Sequence, residues 1–453
     1  MPKRLWAKTV LPAMGSFYGI KTKGFGLLQK HKPGELEIIK NLGIYPGEQV
    51  LSDSIWYLIQ EYYTNNSPDE FVIDKSRKKR TKNLKGFDIQ EIKLNELPGS
   101  LISTLNFDPE SKKVLIGEDR SMAYSWQYPN QSDKIIQTNS TVSHLAVNND
   151  TTYIVEMGSL TPTEKSTGTI SILNGSTIIS GLNRPVHAIV SDLNADGQPE
   201  IVVCNYGNKT GRLSIFSKLN GSYTESVIHQ QAGALKSFLN DMNDDGDEDL
   251  ITMFAQGDES IYIFYNKGNL QFESERILRF SPLMGSNDFD MVDYDQDGDL
   301  DIIVAQGDNA DITVTPKPYH GIRLFINEKN IFEEKYFFPL YGATKVLAHD
   351  FDKDGDMDIV ATAFYQEYNI LPNEGLIYLE NVHNENFEFE AFSFKFTSPV
   401  KSYTLAKGDI DNDGDMDIIT GHFSYSITKA PKELKELWQK ADYDLTILIN
   451  KIK

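Results

Sequence analysis

Beyond residue 100 the hydrophobic positions fall into short apolar runs that return at a steady interval. Five of them, Ile201-Val202-Val203, Leu250-Ile251-Thr252, Ile302-Ile303-Val304, Ile359-Val360-Ala361 and Ile418-Ile419-Thr420, each follow an acidic, Gly-containing loop. Before the loop stands a shorter mixed segment, as in Val186–Val190, Lys236–Leu239 and Val346–His349. Runs this short, bounded by turn formers, predict strands on both sides of the loop. A third strand recurs with an Asn at its end: Ile261–Asn266, Ile322–Asn327, Leu376–Asn381 and Leu445–Asn450. In three of these four copies a turn rich in Gly, Asn or Lys and a Phe-containing fourth strand come next. The unit is therefore four-stranded, and it is repeated.

The first residues of the five loops, Asp192, Asp241, Asp293, Asp350 and Asp409, lie 49, 52, 57 and 59 apart. A period near 50 is the range of propeller blades, each a small sheet that buries its faces only against its neighbours. Two upstream units keep the register without the acidic positions: His144–Asp150 followed by Tyr153-Ile-Val, and Leu105–Glu110 followed by Val114-Leu-Ile. Two units and five predict an all-β, seven-bladed β-propeller of four-stranded blades over residues 96–453. The last blade has no fourth strand, since the chain stops at Lys453. An unpaired edge is a liability, and the alternating segment Phe87–Leu94 is expected to supply the missing strand. Residues 1–70 read as a small α-helical segment and 71–95 as a basic linker with the closing strand.

Within each loop, positions 1, 3, 5 and 9 carry Asp, Asn or Glu, and position 6 is Gly. Calcium takes six to eight oxygens, which a loop provides with side-chain oxygens at positions 1, 3 and 5, a backbone carbonyl at 7 and a later carboxylate. The Gly permits the sharp turn. One such loop reads as well as a turn. Five in register, whose close carboxylates repel without a cation, point to about five calcium ions. Asn194 and the Pro199-Glu200 ending single out the first loop as the weakest.

The net charge is −21, and 24 of the 65 Asp and Glu residues sit in the five loops. This sign repels nucleic acid and anionic lipid. No run approaches the roughly 18 apolar residues of a membrane span. Cys204 is the sole cysteine, so neither an intrachain disulfide nor a Cys-based metal site can form, and it reads as a small buried residue. The Lys/Arg start lacks the apolar core of a signal peptide.

The loops resemble those of the FG-GAP/VCBS repeat family, the propeller class that includes the integrin α-subunit head. The resemblance implies calcium ligands at Asp192, Asn194, Asp196 and Glu200; at Asp241, Asn243, Asp245 and Asp249; at Asp293, Asp295, Asp297 and Asp301; at Asp350, Asp352, Asp354 and Asp358; and at Asp409, Asp411, Asp413 and Asp417. It also implies an extracytoplasmic setting, and no particular reaction. Trp6–Gly15 and the helix Ser52–Tyr63, with Ser52 as N-cap, resemble the later part of a c-type cytochrome domain. The Cys-x-x-Cys-His motif is absent, so no haem can attach covalently. This leaves a chain that begins inside a longer secreted protein, which the start favours, or a domain that has lost its haem.

Five residues before each first ligand stand His187, Lys236, Asp288 and Lys345, with His144 in the matching place upstream. Inner strands line a propeller's channel, so these predict a polar ring. Asp258 and Asp308, in repeated Gln-Gly-Asp triplets, and His320 in a Pro/aromatic insertion are expected near the channel mouth. The expected function is a calcium-binding, non-catalytic scaffold or binding module for a protein or glycan, monomeric and not membrane-spanning. The alternatives are a redox-associated protein with a truncated haem domain, or a polysaccharide-active enzyme working at the channel mouth.

Overall fold

A computed structural model describes residues 1–21, 34–71, 82–129, 131–308, 317–369, 371–383, 387–394, 400–424 and 430–452. Seven sheets follow one another along the chain, and each has at least four strands. The fold is the expected seven-bladed propeller. Blades 1 to 6 begin with the inner strands Ile102–Asp108, Val142–Asn148, Pro185–Ser191, Ala234–Asn240, Ser286–Val292 and Ala343–His349, and blade 7 begins with Ser402–Gly408. Within blades 1 to 6 consecutive strands pair antiparallel from the centre outward.

Blade 7 closes the ring as anticipated. Its outer strand is Phe87–Ile92, paired antiparallel with Leu445–Asn450 in a register running from Phe87 opposite Asn450 to Ile92 opposite Leu445. The linker does more than connect: Lys82–Asn83 adds a short fifth strand, parallel, to the edge of blade 6. Lys82 pairs there with Glu390. Most of the rest of the basic run, 75–81, lies outside the described residues.

The apolar runs become second strands because a second strand is covered by neighbouring blades on both faces. Glu200–Asn205, Asp249–Phe254, Asp301–Gln306, Asp358–Ala363 and Asp417–His422 are buried at every position. A strand without a solvent face loses hydrophobic alternation. Among the described residues each of the seven blade junctions has its own apolar cluster. That between blades 7 and 1 joins Ile92, Ile419 and Ile447 to Ile102, Val114 and Trp126. Cys204 packs in the cluster between blades 3 and 4, and burial pushes its thiol up to about 12.

The described part of residues 1–70 holds short helices joined by turns, with Asp53–Asn65 the longest. Ser52 caps it, its hydroxyl accepting the Ile55 N–H at 3.4 Å. Trp6, Val10, Leu11 and Trp56 form a small core that also receives Leu283 from the connection between blades 4 and 5. Glu35 accepts the hydroxyl hydrogen of Thr163 in blade 2. These contacts fall on connections at the end of the propeller opposite the acidic loops, so the helical segment rests on that face. No helix among the described residues is long and apolar enough to cross a membrane.

Candidate metal loops and central channel

All five loops share one backbone course, with the residue at position 4 (Ala195, Asp244, Gln296, Lys353, Asn412) and the Gly at position 6 both at positive φ. Two left-handed residues in so short a span turn the chain back on itself. The carboxylate at position 5 accepts the N–H of position 7 in every copy, at 2.8 to 3.3 Å. In the first four copies position 1 accepts the Gly N–H, at 2.8 to 3.1 Å.

The position 9 carboxylates, Glu200, Asp249, Asp301, Asp358 and Asp417, are at most 1% exposed. One oxygen of each accepts the N–H of position 2 in its own loop, at 2.7 to 3.2 Å. In blades 4 to 7 the other oxygen accepts the N–H of the Asn that ends the third strand: Asn266, Asn327, Asn381 and Asn450. The recurrent Asn is thus part of the loop's support. Its amide crosses to the neighbouring loop in three blades. Asn266 donates to the Leu193 carbonyl, Asn450 to the Phe351 carbonyl and Asn381 to the Tyr294 hydroxyl. Sequence reading found this Asn as a repeat mark and missed its role.

The loops divide by the residue at position 3. Where it is Asn, in blades 3 and 4, position 1 is satisfied within the loop: Asp192 and Asp241 accept two backbone N–H groups each. The Gly246 N–H, first among several, holds the exposed Asp241 carboxyl below its ordinary range. Where position 3 is Asp, in blades 5 to 7, carboxylates converge. Asp293, Asp295 and Asp297 bring ligand atoms within 4.8 Å of one another, as do Asp350, Asp352 and Asp354, and Asp409, Asp411 and Asp417. The Oδ1 atoms of Asp293, Asp295, Asp350, Asp409 and Asp411 are buried without a hydrogen-bond partner. So are Oδ1 of Asp356 and Asp415 at position 7, which the sequence reading did not single out. Burial, then the charge of Asp354, pushes Asp352 and Asp356 up to about 6, and burial pushes Asp358 to about 8. Buried carboxylates facing one another without donors are costly, and a hard divalent cation relieves both burial and repulsion. The residues present suit calcium.

Blade 7 differs from the other two. Lys451 Nζ lies 3.0 Å from Asp411 and 3.2 Å from Asp413, and Lys112 lies 3.4 Å from Asp409. A resident ammonium already sits at this loop.

In the channel register, side chains of neighbouring blades meet in two groups. A register irregularity near the start of every inner strand precedes His144, His187, Lys236, Asp288 and Lys345, and in the same register Thr104 and Thr404 of blades 1 and 7. His144 and His187 stand with ring centroids 4.3 Å apart. Lys236 Nζ is 3.1 Å and Lys345 Nζ 3.7 Å from Asp288 Oδ1. Burial, helped by the nearby lysines, lowers His144 to about 4 and His187 well below its usual range. Asp308 lies close enough to the mouth for its charge to act on Tyr403.

Two residues expected at the mouth lie elsewhere. Asp258 pairs with Arg276 and Arg279 on the outer strand of blade 4. His320 is fully buried, its Nε2 3.4 Å from the Leu283 carbonyl. Both belong, like Asp308, to connections between the second and third strands of their blades, and the two arginines turn Asp258 toward the outer strand.

No curated protein matches the chain. The crystal structure of RRP9 WD40 repeats aligns at 9% identity over 80% of this chain and 97% of that one, with a TM-score of 0.43. The β-propeller domain of Cps50 (Swd1) from Myceliophteria thermophila aligns at 8% over 72% and 96%, with 0.45, and the designed protein Ika8 at 10% over 80% and 99%, with 0.44. None of these findings supports the cytochrome resemblance of residues 1–70. Residues 241–304, which hold the acidic loops of blades 4 and 5, match the FG-GAP-like repeat, and the seven-bladed ring supports the same family of β-propellers.

Proposed function

We propose that the chain is a calcium-binding propeller of an extracytoplasmic protein, acting as a binding module for a protein or glycan and not as an enzyme. One observation carries the calcium reading: three loop carboxylates converge in each of blades 5 to 7, at positions 1, 3 and 5 in blades 5 and 6 and at positions 1, 3 and 9 in blade 7, and each of these loops has buried carboxylate oxygens that lack a donor. The residues that would hold the ion are positions 1, 3, 5 and 9 of each loop, joined by position 7 in blades 6 and 7. A bound cation there offsets carboxylate repulsion and stabilises the folded ring, because the unfolded chain has no such site. Extracellular modules bind calcium at roughly 10⁻⁴–10⁻³ M, a regime in which the sites stay filled outside a cell and empty in the cytosol. The seven-bladed scaffold with its FG-GAP-like repeat supports the binding-module part.

The test is a calcium titration read by calorimetry and by thermal melting. Saturable binding of several ions, with a melting temperature that rises with calcium and falls with chelator, is expected. Melting curves indifferent to both would overturn the proposal.

A further inference from the structure

The geometry points to a second site, independent of the loops: the middle of the channel binds a small oxyanion, a sulfate- or phosphate-like group or the carboxylate of a larger ligand, between Lys236, Lys345, His144 and His187. Asp288 is the shared partner of both lysines, and its second oxygen already accepts the Val346 N–H at 3.3 Å. Two ammonium groups around one carboxylate leave one positive charge uncompensated within the cluster. The open surface belongs to the cations: the Lys345 and Lys236 side chains keep 31% and 23% of their area accessible, and Asp288 keeps 4%. The space at this level is therefore lined by ammonium groups while the carboxylate is hidden behind them.

The histidines complete the donor set. His187 Nδ1 is buried and has no hydrogen-bond partner. Each neutral imidazole offers one N–H, whose placement follows the tautomer. A cation is disfavoured here by the two lysines, whose charges already act on both rings. Lys236 Nζ also donates to the Phe289 carbonyl at 2.7 Å, so an oxyanion would accept from the imidazole N–H and from the remaining donors of the two ammonium groups, and such charge-assisted hydrogen bonds are the strong kind. The positive sign of the site contrasts with the chain as a whole, which is strongly acidic.

The experiment titrates the full chain, in saturating calcium, with sulfate and separately with acetate, followed by calorimetry and by the imidazole NMR signals. Saturable binding of at least one probe is expected, with shifts of buried imidazole resonances. Lys345→Met should weaken it by about tenfold or more, and Asp288→Asn, which removes the competing carboxylate, should strengthen it. A response to sulfate alone assigns a tetrahedral anion, and one to acetate alone a carboxylate. No saturable response to either probe would overturn the inference. So would an affinity unchanged in Asp288→Asn, a variant that keeps every donor and remains informative if Lys345→Met fails to fold.

Discussion

Asn450 reaches back 99 residues to Phe351, its side-chain amide donating to the Phe351 carbonyl at 2.7 Å. Its own backbone N–H is given to Asp417 at 2.8 Å. A single residue therefore ties the acidic loop of blade 7 to that of blade 6, and Asn266 ties blade 4 to blade 3 in the same way. Asn381 joins blade 6 to blade 5, and Asn330 Nδ2, 3.0 Å from the Met242 carbonyl, joins blade 5 to blade 4, so loops built separately by five repeats are linked into a chain around one end of the ring.

Replacing Asn450 with Ala should cost about 1–3 kcal/mol, since it removes the donor to the Phe351 and Met416 carbonyls. Denaturant unfolding measures it. In blade 3 the exposed Lys218 occupies the place of this Asn, two residues beyond the strand residue paired with Ile201. Lys218→Ala should change stability by no more than about 0.5 kcal/mol; a cost equal to that of Asn450→Ala would refute the assigned role.

The residue at position 3 should rank the loops. Asn243→Asp is expected to tighten calcium binding in blade 4 by placing a fourth carboxylate among positions 1, 3, 5 and 9, and Asp352→Asn to weaken it in blade 6. Terbium luminescence with calcium competition resolves the change in one site against the other four. Identical affinities in the two variants and the parent would contradict the division.

Lys451 is held strongly protonated, first by its hydrogen bond to Asp411 and also by Asp413. A cation entering the blade 7 loop competes with that ammonium. Lys451→Met should raise the calcium affinity of blade 7 alone and lower the melting temperature in chelator, where the carboxylates lose their counter-charge. Unchanged calcium binding would mean that the lysine and the ion do not share a site.

Glu259, 2% exposed, accepts the N–H groups of Gly285 and Ser286 and the Ser286 hydroxyl. Burial pushes its carboxyl up from 4.5 to about 7. A raised folded-state value means that the folded chain holds the proton more tightly, so this contribution to stability is complete below about 4.5 and is lost as pH rises through about 7. Relative to Glu259→Gln, the parent should lose on the order of 3 kcal/mol across that window. Denaturant unfolding of both proteins in saturating calcium from pH 4.5 to 7.5 checks it; parallel curves would show that the carboxyl titrates normally.

What could be read from the chain was whatever recurs within one blade. The loop spacing, the apolar second strands and the Asn at the third strand repeat with the period of the fold, and even the unpaired edge of blade 7 pointed to Phe87–Leu94, of which Phe87–Ile92 forms the strand. Contacts between blades left no such trace, because partners about 50 residues apart share no local pattern. The crossing of Asn450 to Phe351 and the division of loops by position 3 depend on that second order of structure. Asp258 and His320 were misplaced for a related reason: repeated triplets and aromatic insertions mark connections, but where a side chain on a connection points depends on its own partners, Arg276 and Arg279 for Asp258 and the Leu283 carbonyl for His320. Thr104 and Thr404 share the channel register without charge, and so were passed over.

Pairing the first strand of the ring with the last has a consequence for biosynthesis. Leu94 donates its N–H to Asp444, 350 residues further on, so a ribosome that has delivered Phe87–Ile92 must translate six more blades before that strand meets its partner. At about 5–20 residues per second, an extended segment waits unpaired for tens of seconds, and the nascent chain remains an open arc until the final strand emerges.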